Sequence, residues 1–192
     1  QEEIKVKIIN SINSGEHKMW GIQGGAGTGK TLLLYDIAKD LSSQYKLCIV
    51  HCGILSQGHE ELNKIMNNVD ILPVKVCSFD TLKKYQIILV DESQRIYPGN
   101  LDIIRRAFQI GKMCIFSYDY KQVLSKTEME NDIPTKLRGE NDFFEESLSI
   151  KIRTNYNISE FIECALDLKR EPHKDASFEN IEILFINFIS DF

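Results

Sequence analysis

The chain holds no CxxC pair, no run near the roughly 20 apolar residues that a membrane helix needs, and no internal repeat or low-complexity tract. No secretory signal is visible at its start. The first absence argues against a zinc ribbon or a thioredoxin-like redox pair. The second predicts a protein that does not span a membrane. Positive charge is also in short supply, with 23 Lys and Arg against 28 Asp and Glu and a net charge of −5. Binding to nucleic acid would therefore need a local basic groove rather than a basic whole. The five cysteines, Cys48, Cys52, Cys77, Cys114 and Cys164, are scattered, most of them in apolar runs. Buried reduced thiols in the cytoplasm are the reading that fits. Cys48, His51 and Cys52 lie close together, but without a second ligand cluster a metal site ranks below the structural reading.

What is present is ordinary for a globular protein: 192 residues, 43% hydrophobic and 27% charged, enough for one domain or slightly more. One segment is not ordinary. Gly24-Gly25-Ala26-Gly27-Thr28-Gly29-Lys30-Thr31 is a complete Walker A loop. It follows the apolar run 19–23 and precedes the helical pattern of 32–41, the strand and helix context that such a loop requires. Glycines let successive backbone N–H groups turn towards a phosphate, and the helix N-terminus adds its positive dipole end. Gly25, Ala26, Gly27, Thr28 and Gly29 are the expected phosphate cradle. Lys30 is expected on the β- and γ-phosphates, and the Thr31 hydroxyl on Mg²⁺. The cofactors implied are ATP and Mg²⁺.

The rest of the chain alternates strand and helix signals. A helix is expected over 2–13, strands at 47–51, 74–77, 87–90, 113–117 and 148–152, and helices at 60–67 and 101–110. Leu62, Ile65 and Met66 are expected on one face of the 60–67 helix, Pro73 to separate it from the 74–77 strand, and Gly111 to end the 101–110 helix. Residues 78–84 read as a connector of one helical turn, and 121–142, polar with Pro134 and Gly139, as a mobile excursion. A further helix at 158–168, a polar linker at 169–180 and the start of a strand at 181–186 complete the pattern. Alternation of this kind predicts an α/β fold with a mainly parallel sheet covered by helices on both faces. Ligands then collect at the carboxyl ends of the strands.

Candidate residues stand at those ends. Asp91 follows the aliphatic run 87–90 and is expected to hold the metal. Its neighbour Glu92 is expected to orient or deprotonate water. Gln94, a neutral donor and acceptor, is a candidate sensor of the γ-phosphate. Arg95 reads as a structural ion pair. Gln122, in Asp119-Tyr120-Lys121-Gln122, is a candidate γ-phosphate contact, with a solvated turn as the competing reading. Arg153, after the expected strand 148–152, is a candidate partner for transition-state charge.

In order, GGAGTGKT (24–31), VDESQR (90–95), DYKQ (119–122) and IRTN (152–155) resemble the motifs of superfamily 1 helicases. The chain is most similar to the Schlafen group-3-like DNA/RNA helicase family, over about residues 1–165. The resemblance implies a three-layer RecA-like P-loop domain over 1–168, then a linker and the start of a second RecA-like lobe over 169–192. It implies Lys30, Thr31, Asp91, Glu92, Gln122 and Arg153 as the ATPase site, Gln1 as an adenine-reading glutamine, and single-stranded DNA or RNA as partner. Tyr118 departs from the pattern, standing where a motif glycine would be. Later motifs of a second lobe find no match. Two other classes stay open: a regulatory P-loop ATPase that switches protein partners, and a small-molecule kinase, for which 121–142 offers Arg138 as its one lid arginine.

Overall fold

The structure, a computed structural model, describes residues 1–121 and 126–149. These residues fall within one compact unit, Gln1–Lys151. Helix α1 (Glu2–Asn13) leads to strand β1 (Met19–Gly24), helix α2 (Lys30–Leu41), strand β2 (Leu47–His51), helix α3 (Gln57–Ile65) and strand β3 (Val69–Pro73). A one-turn helix α4 (Phe79–Leu82) precedes strand β4 (Ile87–Asp91). Helix α5 (Pro98–Gln109), strand β5 (Met113–Tyr118), short helices α6 (Lys126–Asn131) and α7 (Ile133–Arg138), and strand β6 (Phe143–Leu148) follow. The six strands form one sheet in the order β3-β2-β4-β5-β1-β6, every pair parallel. This is the expected α/β architecture.

Strand alternation divides the core into two layers. Leu47, Ile49, Ile87, Leu89, Ile115, Trp20 and Ile22 face α1 and α2, meeting Ile8, Ile12, Leu33, Leu34, Ile37 and Leu41. Cys48, Val50, Ile88, Val90, Cys114 and Phe116 face the other way, meeting Leu82, Leu101, Ile104, Phe108, Ile133 and Leu137. Central strands buried on both faces need continuous apolar runs, and β4 is fully buried from Ile87 to Asp91. The four described cysteines, Cys48, Cys52, Cys77 and Cys114, are buried free thiols; Cys164 lies outside the described residues.

Gly111 ends α5 as expected, at φ +87°, its N–H donating to the Phe108 carbonyl at 2.8 Å. On α3, Leu62 and Met66 pack against the core while Ile65 is exposed, so the expected three-residue face reduces to two. Three other expectations need correction. The third strand is Val69–Pro73, not 74–77, and Val74–Val76 is a 3₁₀ turn. Pro73 ends a strand at the sheet edge, where a missing N–H costs no ladder bond. Residues 126–138 are not an excursion: they form α6 and α7, and α7 buries Ile133, Pro134 and Leu137. Strand β6 runs from Phe143 to Leu148, earlier than the expected 148–152. The expected elements at 158–168, 169–180 and 181–186, and the boundary at 168, lie outside the described residues.

The corrected position of β3 is measurable by urea denaturation. Ile71 is 4% exposed and Val76 is 55% exposed. Ile71→Ala is expected to cost about 2–5 kcal/mol, and Val76→Ala to stay within about 0.5 kcal/mol; the reverse order would restore the strand at 74–77.

Candidate nucleotide site

Strand β1 ends at Gly24, and the chain turns through 25–29 into the first residue of α2, Lys30. Two turns of that path demand glycine: Gly27 and Gly29 have φ of +76° and +83°. Gly24 is needed for space, because a Cβ there would stand 2.5 Å from Thr28 Oγ1 and 3.0 Å from the Leu148 carbonyl oxygen. Within the loop, the Thr28 hydroxyl and Lys30 Nζ both donate to the Gly25 carbonyl, at 2.9 and 3.1 Å. Lys30 is 6% exposed. No side chain caps α2 and no acid occupies its first turn. Its leading N–H groups and dipole end are therefore left for an anion.

Helix α1 is tied to α2 by Lys5, whose ammonium lies 2.7 Å from both Asp36 and Asp40. This brings Gln1 to the loop, where its side-chain N–H donates to the Thr28 carbonyl at 2.7 Å.

Asp91, at the carboxyl end of β4, is 1% exposed. Ser117 Oγ donates to its Oδ1 at 2.6 Å, and Thr31 Oγ1 lies 3.2 Å from both of its oxygens. His51 Nδ1 stands 3.4 Å from Oδ2 and makes no hydrogen bond of ordinary geometry. Burial alone would raise this carboxyl. The approach of His51, with the Ser117 and Thr31 hydroxyls, outweighs it and holds the group below its ordinary value. The sign follows: Asp91 stabilises the fold above the ordinary carboxylate range, and that contribution is lost as pH falls through its lowered value. Thr31 and Asp91 together offer hard oxygen donors of the kind Mg²⁺ takes. Among the described residues no three His, Cys, Asp or Glu side chains converge as a metal site. The Cys48, His51 and Cys52 grouping is therefore not one, and any ion would also need phosphate or water oxygens.

Glu92 adopts a left-handed backbone, φ +57°. Its carboxylate accepts from Gln94 Nε2 at 2.9 Å and lies 3.6 Å from Arg95, the expected ion pair. Gln94 is buried, and its Oε1 accepts the Asp119 N–H at 3.3 Å. It thus joins the residue after β4 to the residue after β5. Ser93 Oγ adds a second link by donating to the Ser117 carbonyl at 3.0 Å. Gln122 and Arg153 lie outside the described residues.

The fold brings the loop, Thr31 and Asp91 together, with Glu92 and Gln94 on the same rim. Sequence reasoning missed Ser117, whose signal was a lone hydroxyl in an apolar strand, and the contact of His51 with Asp91. It also left Tyr118 unexplained. That ring is buried, and its hydroxyl donates to Glu145, which Arg138 also grips at 2.7 and 3.0 Å. Gly21 on β1 leaves room chiefly for the Phe143 ring: a Cβ there would lie 2.4 Å from Phe143 Cζ and 3.1 Å from the Tyr118 hydroxyl.

The family model described as Schlafen group 3, DNA/RNA helicase domain, matches residues 17–190. The chain belongs to this family. No curated protein sequence matches it. Among solved structures, a Schlafen group 3 helicase domain of this form is similar to Pif1 helicase from Candida albicans, at 14% identity and a TM-score of 0.55, covering 83% of this chain and 42% of that one. Bacteroides Pif1 bound to ssDNA aligns at 20% identity and 0.51, covering 83% and 44%. A structure of Pif1 helicases unwinding forked dsDNA aligns at 19% and 0.53, covering 83% and 46%. The chain therefore spans less than half the length of these helicases. At such identities the likeness is one of fold, and the fold is that of a helicase-type P-loop domain.

Gly24→Ala forces a methyl against the Leu148 carbonyl and the Thr28 hydroxyl. It is expected to weaken binding of a fluorescent ATP analogue by about tenfold or more, a loss of about 1.4 kcal/mol, with an unchanged far-UV circular dichroism spectrum. Unaltered affinity would show that this loop does not set the phosphate cradle.

Proposed function

We propose that the chain binds ATP and hydrolyses it with Mg²⁺ as the first lobe of a helicase or translocase motor acting on single-stranded DNA or RNA. The observation that carries this is the meeting of Thr31, in the first turn of α2, with Asp91 at the end of β4. Family membership supports the helicase class.

In this reading the N–H groups of Gly25, Ala26, Gly27, Thr28 and Gly29 cradle the phosphates, and Lys30 leaves the Gly25 carbonyl for the β- and γ-phosphate oxygens. Thr31 and Asp91 hold Mg²⁺, which neutralises charge on the phosphates when bound. Glu92 accepts the proton of the attacking water. Gln94 sits between Glu92 and Asp119 and relays the state of the γ-phosphate to the end of β5. Gln122 and Arg153 complete the γ-phosphate contacts by family resemblance, and Gln1 reads adenine once it leaves the Thr28 carbonyl. Closure against a second RecA-like lobe would couple turnover to movement along the strand. The net charge of −5 confines the nucleic-acid contact to a local groove. No helix among the described residues is long and apolar enough to cross a membrane, and the buried free thiols suit a cytoplasmic protein.

Steady-state ATPase assays with and without single-stranded DNA and RNA test this. Stimulated turnover is expected, falling by roughly 10²–10⁴-fold in Glu92→Gln with nucleotide affinity retained, and lost with affinity in Lys30→Ala. Absence of stimulation by either nucleic acid, together with nucleotide-dependent capture of a protein partner, would replace this reading with the regulatory switch.

A further inference from the structure

Tyr118 stands where a motif glycine would be, and its side chain makes a connection that glycine could not. Strand β1 lies between β5 and β6, so those two are not hydrogen-bonded neighbours. Tyr118 on β5 stands opposite Gln23 of β1, and Glu145 on β6 stands opposite Gly21 of β1. The Tyr118 hydroxyl donates to Glu145. The buried ring therefore crosses β1, the strand that feeds the phosphate loop, and joins the strands on either side of it. Arg138, the last residue of α7, donates to both oxygens of the same carboxylate through Nε and Nη2. Burial alone would raise the Glu145 carboxyl, but Arg138 and the Tyr118 hydroxyl hold it below its ordinary value. Both contacts are thus made to an ionised group and are of the stronger, charge-assisted kind.

What this chain of contacts frames is the turn Ser93–Arg95. On one side α7 packs against the turn. On the other side lies the end of β5, where Ser93 Oγ donates to the Ser117 carbonyl and Gln94 Oε1 accepts the Asp119 N–H. Arg138 belongs to the first support and Tyr118 to the second, and Glu145 ties them together. The apolar packing of Ile133 and Leu137 beneath α7 has no preferred direction, whereas a planar guanidinium fork on a carboxylate does. Gln94 in turn donates to the Glu92 carboxylate, so the aim of Glu92 depends on where the turn is held.

We propose that Tyr118 is a positioning residue for ATP hydrolysis: through Glu145 and Arg138 it fixes α7 against the end of β5, and that frame aims Gln94 and Glu92. The proposal rests on the reading of Glu92 as the group that orients and deprotonates water. Neither Tyr118 nor Glu145 belongs to the phosphate loop or to the pair Thr31 and Asp91. Loss of the hydroxyl therefore reaches the rate and leaves nucleotide affinity as it is.

Tyr118→Phe keeps the ring and removes the hydroxyl. In amide exchange followed by NMR on the whole chain, the Asp119 N–H should lose about tenfold in protection while that of Leu89 in β4 keeps its own. In ATPase assays with single-stranded nucleic acid, kcat per nucleotide-binding site should fall about tenfold, with KM for ATP and affinity for a fluorescent analogue unchanged. Glu145→Gln should cost about as much, and the double variant no more than either alone, as for members of one unit. Should Tyr118→Phe misfold, Arg138→Lys alters a side chain that is 44% exposed, keeps its charge and removes the fork; the same losses of Asp119 protection and of kcat are expected. An unchanged kcat, losses that simply add in the double variant, or a fall in affinity that matches the fall in kcat would each overturn the role of Tyr118. An unaltered chain that hydrolyses no ATP with either nucleic acid would instead overturn the reading beneath it, while Asp119 exchange would still decide the frame.

Discussion

An ionised carboxylate almost wholly removed from water holds the functional rim of this domain together. Asp91 is reached from β5 through Ser117, from α2 through Thr31 and from β2 through His51. Burying a charge carries a penalty of several kcal/mol, and burial by itself would raise this carboxyl. The hydroxyls and the histidine reverse that outcome, so the group stays ionised. Their convergence also fixes where α2 begins relative to the sheet. The core beneath is apolar on both faces and its attraction has no direction. The polar contacts above it have directions.

The surrounding rim extends the same logic. Gln94 reads two neighbours at once, the Glu92 carboxylate and the Asp119 N–H. Lys30 and Thr28 close the loop on the Gly25 carbonyl, and Gln1 reaches over to Thr28. These are hydrogen bonds that a phosphate or a metal could exchange for its own, whereas the sheet below stays as it is. A rigid parallel sheet carrying an exchangeable polar edge is what a nucleotide-driven cycle requires.

Much of this was legible in the chain before any coordinates. The loop 24–31 and the run 87–90 followed by Asp91-Glu92 are marked by adjacent residues, so local pattern suffices to place them at strand ends. The places where pattern misled are governed by distant partners. Val74-Lys75-Val76-Cys77 has as strong a strand signal as Val69-Asp70-Ile71-Leu72. Pairing with Leu47 to His51 decides between them, and no local rule contains it. The acidic segment Phe143-Phe144-Glu145-Glu146 has no alternation of its own to mark a strand; in the fold Glu145 meets Arg138 and Tyr118, and Glu146 meets Lys7. Helix α7 is too short to show a period, with three buried residues in six. Ser117 and His51 gained meaning from the carboxylate that the fold sets beside them.

The most direct measurement is a crystal structure of the chain with a non-hydrolysable ATP analogue and a divalent ion. The account predicts the phosphates against the N–H groups of 25–29, Lys30 Nζ moved from the Gly25 carbonyl to a phosphate oxygen, and the ion between Thr31 and Asp91. A nucleotide bound elsewhere, with Lys30 still on the Gly25 carbonyl and Asp91 still bonded only to protein hydroxyls, would contradict it.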